Sequence, residues 1–493
     1  MAWRGPQSAS TALFSDFYQL TMAYAHWKHG SHLTPAVFHQ SFRTLPFGGG
    51  YAVAGGLGEL VDWLDGFRFD ASDMAFLADL HDVEGAPMFE PAFLDFLFES
   101  RFTCDVDAIP EGVLVFPHEP MVRVTGPIWQ AQYLESALLN FVNAGTLFTT
   151  KAARICHAAG GEPVMEFGMR RAQFMGAALS AARASYIGGA AGTSCMLASK
   201  RYGIPPKGTM AHSWVMFWDD ELEAFQRYAE ALPGSCLFLV DTYDTLDGVR
   251  HAIEVGRWLR QHGHDLLGIR LDSGDLAYLS IEARRMLDAE GFPDAFISAS
   301  NDLDEHLVQS LKVQGARIVV WGVGTKLITS FDQPALGGVY KLSAVQRDGT
   351  WDDRLKLSEQ SAKVSIPGVL QVRRFVEASG MYAGDMIYDV HRPGTEPQIV
   401  DPADPLRRKD LRGKSENFDV LVPVYRGGTR VYDVPSLDAS RAMVARELER
   451  LHPGIKRLQN PHRYPAGLDR RLYEIRADLI ARRRSLGVDP PQG

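Results

Sequence analysis

From about residue 163 the chain alternates between two patterns. Short apolar runs that turn polar at their ends read as strands: PVMEFG (163–168), GTMAHS (208–213), CLFLVDTYD (236–244), LLGIRLDSGD (266–275), AFISASND (295–302) and ARIVVWGVGT (316–325). Amphipathic stretches such as 245–262, 275–291 and 303–314 separate them and read as helices. Nearly continuous apolar strands between helices predict a parallel sheet covered on its faces. A barrel and a doubly wound sheet both fit. In either, chemistry gathers at the C-terminal ends of the strands.

The flanks read differently. Residues 14–30 have apolar positions at helical spacing, with Ser15 as the expected N-cap, Asp16 in the first turn and Gly30 at C′. A strand is expected at Ala36–Phe42, a Gly-rich turn at 46–57, and helices at 57–66 and 72–80. The segment 100–130, with short runs at 112–116 and 121–126, reads as β-rich, and 128–155 as a long helical stretch. Beyond about 340 the pattern breaks into short basic segments; 388–409 reads as a Pro- and Asp-rich loop and 435–486 as charged helix.

Composition narrows the class. An apolar fraction of 46% and a charged fraction of 23% are those of a globular chain. The 51 Lys+Arg against 60 Asp+Glu give a formal net charge of −9, which argues against a nucleic-acid partner held by an overall field. Cys104, Cys156, Cys195 and Cys236 have no C-x-x-C spacing and read as reduced thiols. MAWRGPQSAS lacks the apolar core of a leader, and no apolar run is long enough to span a bilayer, so a cytoplasmic location without membrane attachment is expected.

The strand ends carry the candidate chemistry. They bear Glu166, Phe167 and Arg170; His212; Asp241 and Asp244; Arg270, Asp272 and Asp275; Asn301 and Asp302; and Gly322 with Gly324 and Thr325. A single Asp there is as well explained as the cap of the next helix, Asp275 above all. Arg270 and Asp272, two apart on a strand, share a face and suit a ligand with both anionic and hydroxyl-rich parts, although a mutual ion pair also fits. Gly322-Val323-Gly324-Thr325 suits a backbone phosphate cradle or a plain tight turn. No Cys/His spacing supports zinc.

Blocks spread over nearly the whole chain then carry a resemblance: SDFYQLTMAYAHW, FRTLPFGGGYAVAGGL, TTKAAR, EFGMRRAQ, AGTSCMLASKRYGIPPKGTMAHSW, LVDTYDT, GIRLDSGDLAYLS, SASNDLDE, WGVGTKLITSFDQPALGGVYKL, LVPVYRGGTRVYDVPSL and LQNPHRYPAGL. The sequence resembles the nicotinate phosphoribosyltransferases. The resemblance implies an irregular β/α barrel with a second α+β domain formed from N- and C-terminal segments. The expected division is 1–135, 136–345 for the barrel with the active site, and 346–493 completing the second domain with a helical tail.

It also implies transfer of phosphoribose from 5-phosphoribosyl 1-diphosphate to nicotinate in NAD salvage, with Mg²⁺, with ATP as co-substrate, and in a homodimer with shared active sites. By the same resemblance His212 is the phosphohistidine. Phe167 and a neighbouring subunit's Tyr18 sandwich the pyridine, with Asp16 beside Tyr18. Arg170 and Arg270 hold phosphate and carboxylate in an unassigned order, and Asp241 and Asp272 are ribose- and metal-side carboxylates. Asn301, Gly322, Gly324 and Thr325 belong to the 5′-phosphate cradle. The Mg²⁺ ligands are not assigned.

Ser194 stands where nicotinamide-using relatives have Asp. A hydroxyl tolerates the nicotinate carboxylate that an Asp would repel. The competing readings are a nicotinamide or quinolinate phosphoribosyltransferase, a phosphosugar-binding barrel without turnover, and a phosphosugar isomerase or aldolase. The last would want a Schiff-base lysine, and these strand ends carry none.

Overall fold

A computed structural model describes residues 10–358 and 364–485. Residues 1–9, part of the stretch expected to lack a leader core, and residue 486, the end of the expected terminal helix, lie outside the described residues. The chain divides into two compact units. One comprises the described parts of Met1–Leu147, Ala335–Ser436 and Arg446–Gly493, and the other Phe148–Pro334 with Leu437–Ala445.

The second unit holds six parallel strands: β1 (Val164–Glu166), β2 (Gly192–Thr193), β3 (Leu237–Leu239), β4 (Gly268–Leu271), β5 (Phe296–Ala299) and β6 (Val320–Val323). Their spatial order is β2-β1-β6-β5-β4-β3. The first strand therefore pairs with the last, as Val164, Met165 and Glu166 lie beside Trp321, Gly322 and Val323. First paired with last and the remaining strands in sequential order is the order of a β/α barrel opened between two neighbouring strands, and not the 3-2-1-4-5-6 order of the dinucleotide-binding doubly wound sheet. Among the described residues the only sequential pair without a ladder is β2 and β3, so the sheet is a barrel with one seam. At the seam the chain after β2 adds a short rung: Thr193 N–H donates to Pro205 O and Lys207 N–H to Thr193 O.

Helices α1 (Phe174–Ile187), α2 (His212–Phe217), α3 (Glu221–Ala231), α4 (Thr245–Gln261), α5 (Leu276–Ala289) and α6 (Glu305–Val313) lie between these strands in sequence. Apolar faces of α3 to α6 pack on the strands in one core that includes Phe225, Phe238, Val249, Ile269, Ile297 and Trp321. Asp244, Asp275 and Asp304 cap α4, α5 and α6 with their side chains, as acidic N-caps do. The run GTMAHS is not a strand. Residues 208–211 are irregular and α2 begins at His212, because the seam offers them no ladder partner.

The first unit interleaves the two ends of the chain. A seven-stranded antiparallel sheet joins Pro35–Ser41, Asp105–Ala108 and Val122–Pro127 to Val339–Arg347, Thr350–Asp353, Val422–Arg426 and Thr429–Arg430. A six-stranded sheet is built from Leu370–Val376, Tyr382–Asp389, Gln398–Val400, Arg408–Asp410, Glu416–Asp419 and Ala466–Asp469. The region read as basic segments and loop is thus largely β-sheet. An irregular β/α barrel with a second α+β domain from N- and C-terminal segments is the architecture found.

The first helix spans Phe17–Lys28 with Asp16, not Ser15, at the N-cap. Asp16 accepts the Ser136 hydroxyl at 2.6 Å, while Ser15 donates to Tyr133 O. Gly30, at φ 68°, closes the other end as expected. All four cysteines are free thiols, and among the described residues no helix is long and apolar enough to cross a membrane.

Candidate active site

The C-terminal ends of the barrel strands open onto one polar cavity of about 480 Å³. Its lining comes entirely from the barrel unit and includes Phe167, Arg170, Ser194, Arg270, Asp272, Asn301, Gly322, Gly324 and Thr325. Nine of the expected positions are thus gathered by five strands. Asp16 and Tyr18 belong to the other unit, where Tyr18 is exposed on the first helix.

Phe167 leaves β1 with its N–H donating to Val323 O at 2.8 Å. Its ring lies against Gly322, where a Cβ would come within 2.8 Å of a ring carbon. Gly322 is a buried strand residue, so what it gives the cavity here is room for the ring.

A buried clamp sits behind that ring. Glu166 accepts the N–H of Gly168 with one carboxylate oxygen and the Thr193 hydroxyl at 2.5 Å with the other. Thr193 Oγ1 in turn accepts the N–H of Cys195 at 3.0 Å. The clamp ties the end of β1 to the end of β2 and holds Ser194 next to Phe167. Burial raises the Glu166 carboxyl above its usual range, against the two hydrogen bonds.

Arg270 projects from β4 toward the seam. One guanidinium nitrogen donates to Thr209 Oγ1 at 2.6 Å and to Met210 O at 3.3 Å. Nε is buried and finds no acceptor. Burial pushes the group below the usual guanidinium range; Asp272 and Asp241 oppose that shift and the Arg170 charge adds to it. Two like charges therefore share one cavity, an arrangement suited to an anionic ligand. The ion pair considered for Arg270 and Asp272 is not a hydrogen-bonded one: Asp272 is engaged by Ser300, whose hydroxyl donates to Oδ1.

His212 begins α2, beyond the seam. Its Nδ1 contacts Thr242 Oγ1 at 3.1 Å, and Nε2 lies 3.9 Å from Asp241 Oδ1 and 3.8 Å from Asp272 Oδ2. Asp241 Oδ2 accepts the Asp272 N–H at 2.9 Å and the Ser273 hydroxyl at 2.6 Å. Its Oδ1 is buried with no donor. That bare oxygen, with the cavity-lining Asp272, is a fitting donor set for Mg²⁺, which takes one or two carboxylates and completes its shell with substrate oxygens and water. Among the described residues no group of three His, Cys, Asp or Glu could hold a metal alone.

Thr193, Thr209, Thr242 and Ser300 escaped the sequence reading. Thr193 ends β2, Ser300 directly follows β5, Thr242 lies three residues beyond β3, and Thr209 sits in the irregular stretch before α2; a lone hydroxyl in such a place carries no signal of its own. Glu166 was seen at a strand end, without its clamping role.

A seamed β/α barrel gathering cations, carboxylates and an aromatic ring at its strand ends is that of a barrel enzyme for small anionic substrates. Models of the nicotinate phosphoribosyltransferase N-terminal domain, family and C-terminal domain match residues 13–143, 163–363 and 370–476. A nicotinate phosphoribosyltransferase of Bacillus subtilis is 41% identical, over 96% of this chain and 98% of its own. One from Mycobacterium tuberculosis is 41% identical over 94% of this chain and 92% of its own. The crystal structure of human nicotinic acid phosphoribosyltransferase superposes with a TM-score of 0.83 at 31% identity, covering 95% of this chain and 100% of that one. The chain belongs to the nicotinate phosphoribosyltransferase family.

Proposed function

We propose that this enzyme transfers phosphoribose from 5-phosphoribosyl 1-diphosphate to nicotinate, releasing diphosphate and nicotinate mononucleotide for NAD salvage, and that it couples this to ATP hydrolysis through His212. The observation that carries the reading is the juxtaposition of the Phe167 ring, Ser194 and two guanidinium groups in one cavity. A flat anionic ring needs a stacking face, a neighbour that does not repel its carboxylate, and a cation.

In this reading Phe167 holds the pyridine and Arg170 or Arg270 fixes its carboxylate, so that the ring nitrogen meets C1 of the sugar. The nitrogen lone pair forms the new bond as the C1–oxygen bond to diphosphate breaks, and the electron pair leaves with diphosphate. Positive charge building on the ribose is stabilised by Asp241 and Asp272. Asn301, Gly324 and Thr325 receive the 5′-phosphate, with Gly322 behind the ring. Asp241 and Asp272 would hold Mg²⁺ together with the substrate, and the ion would supply neutralising charge for the diphosphate.

If His212 donates Nδ1–H to Thr242, its Nε2 carries the lone pair that accepts the γ-phosphoryl group of ATP, with ADP leaving. The phosphoryl group adds negative charge beside two carboxylates, and water later releases it as phosphate. A homodimer in which Tyr18 of one protomer covers the pyridine of the other accounts for the exposed Phe17, Tyr18 and Met22 on one helix and Phe174, Met175 and Met196 beside the cavity loops. Incubation with ATP labelled at the γ-phosphate tests the coupling. Acid-labile label in the wild type and none in His212→Ala is expected; equal labelling of both would overturn it.

A further inference from the structure

Asn301 and Asp302 follow β5 with φ of 89° and 29°, in the left-handed region that non-glycine residues avoid. Both are exposed and both line the cavity. Such a turn persists only where its surroundings fix it.

The next three residues do so. Leu303 is fully buried. Asp304 Oδ1 accepts the N–H groups of His306 and Leu307 at 3.0 and 2.8 Å, starting α6. Glu305 is buried against Lys151 at 2.7 Å and Arg154 at 2.9 Å. The remaining oxygen of Asp304 reaches across to the neighbouring strand end, where Oδ2 accepts Lys326 Nζ at 2.7 Å. Lys326 directly follows Gly324 and Thr325, and its ammonium lies 5.3 Å from the Phe331 ring centroid. Neither Lys326 nor Asp304 lines the cavity, yet their pair joins the two loops that do.

We propose that the Lys326–Asp304 pair is a positioning clamp: it sets the spacing between the Asn301 and Thr325 loops and so the affinity for the phosphate end of the phosphoribosyl donor. This rests on the reading of those loops as the 5′-phosphate cradle. The Asp304 side chain is buried and that of Lys326 is only 26% exposed, so loss of the pair is felt in loop geometry and not only in surface charge.

Steady-state kinetics of Lys326→Met, Lys326→Arg and Asp304→Asn test the clamp. Lys326→Met should raise KM for the donor about tenfold while KM for nicotinate and kcat stay within about twofold. Lys326→Arg, which keeps the ion pair, should recover most of the loss, and Asp304→Asn, which keeps the helix cap, should resemble Lys326→Met. A wild-type donor KM in Lys326→Met, or equal rises in both KM values, overturns the clamp alone. A wild type that forms no mononucleotide overturns the assigned reaction instead.

Discussion

Asp241 accepts the backbone N–H of Asp272 through one carboxylate oxygen and leaves the other buried without a donor. The bond fixes where β4 delivers the second carboxylate, and the bare oxygen keeps a negative charge pointed toward His212. Asp241→Asn preserves the shape and removes the charge. It should lower kcat by about 100-fold or more, with little change in thermal stability. Activity within tenfold of wild type would remove Asp241 from the chemistry.

Gly322 leaves no spare room beneath Phe167. Gly322→Ala should displace the ring and raise KM for nicotinate about tenfold, with a smaller effect on the donor KM. Parallel KM measurements read the split; an unchanged nicotinate KM would show that the ring does not hold the pyridine.

Ser194 is fixed by its N–H to Glu166 O at 2.9 Å and by the clamp beside it. Ser194→Asp should cut kcat/KM for nicotinate at least about 100-fold, because an unpaired carboxylate then faces the substrate carboxylate. Discrimination between nicotinate and nicotinamide measured in competition should fall accordingly.

Arg374 is fully buried and bonds Asp385, Glu447 and Leu114 O. Arg374→Met strands two carboxylates and should cost about 3–5 kcal/mol of stability. Chemical denaturation would show it as a lowered midpoint; a change under about 1 kcal/mol would mean that the acids are satisfied otherwise.

His118 titrates at about 4, lowered first by burial and then by Arg476. Unfolded, it binds its proton near pH 6.5, so between pH 6.5 and about 4 the unfolded chain holds more protons. This residue's contribution is therefore present above the window and lost as pH falls through it, by no more than about 3 kcal/mol. His118→Asn suits the positive φ of 72° and should flatten that part of the pH–stability curve.

The barrel was legible because its strands are apolar along their length and end in polar residues, as in LLGIRLDSGD and AFISASND. Asp244 and Asp275 proved to be caps as well as strand-end residues. The choice between a closed and an open sheet was not legible, since it depends on β1 pairing with β6 more than 150 residues away. GTMAHS misled for the same reason: its apolar pattern is local and the missing partner at the seam is not. The six-stranded sheet of the other unit was lost because Arg374 and Asp385, both fully buried, break the apolar pattern that marks a central strand. Their pairing is set by the fold and has no signature in either strand alone.

The central claim is tested most directly by supplying nicotinate, nicotinamide and quinolinate side by side with 5-phosphoribosyl 1-diphosphate and Mg²⁺, with and without ATP, and measuring mononucleotide and diphosphate. The account predicts equimolar nicotinate mononucleotide and diphosphate from nicotinate, increased by ATP, and little or no product from the other two. Preferential turnover of nicotinamide or quinolinate, or no mononucleotide from nicotinate, would contradict it.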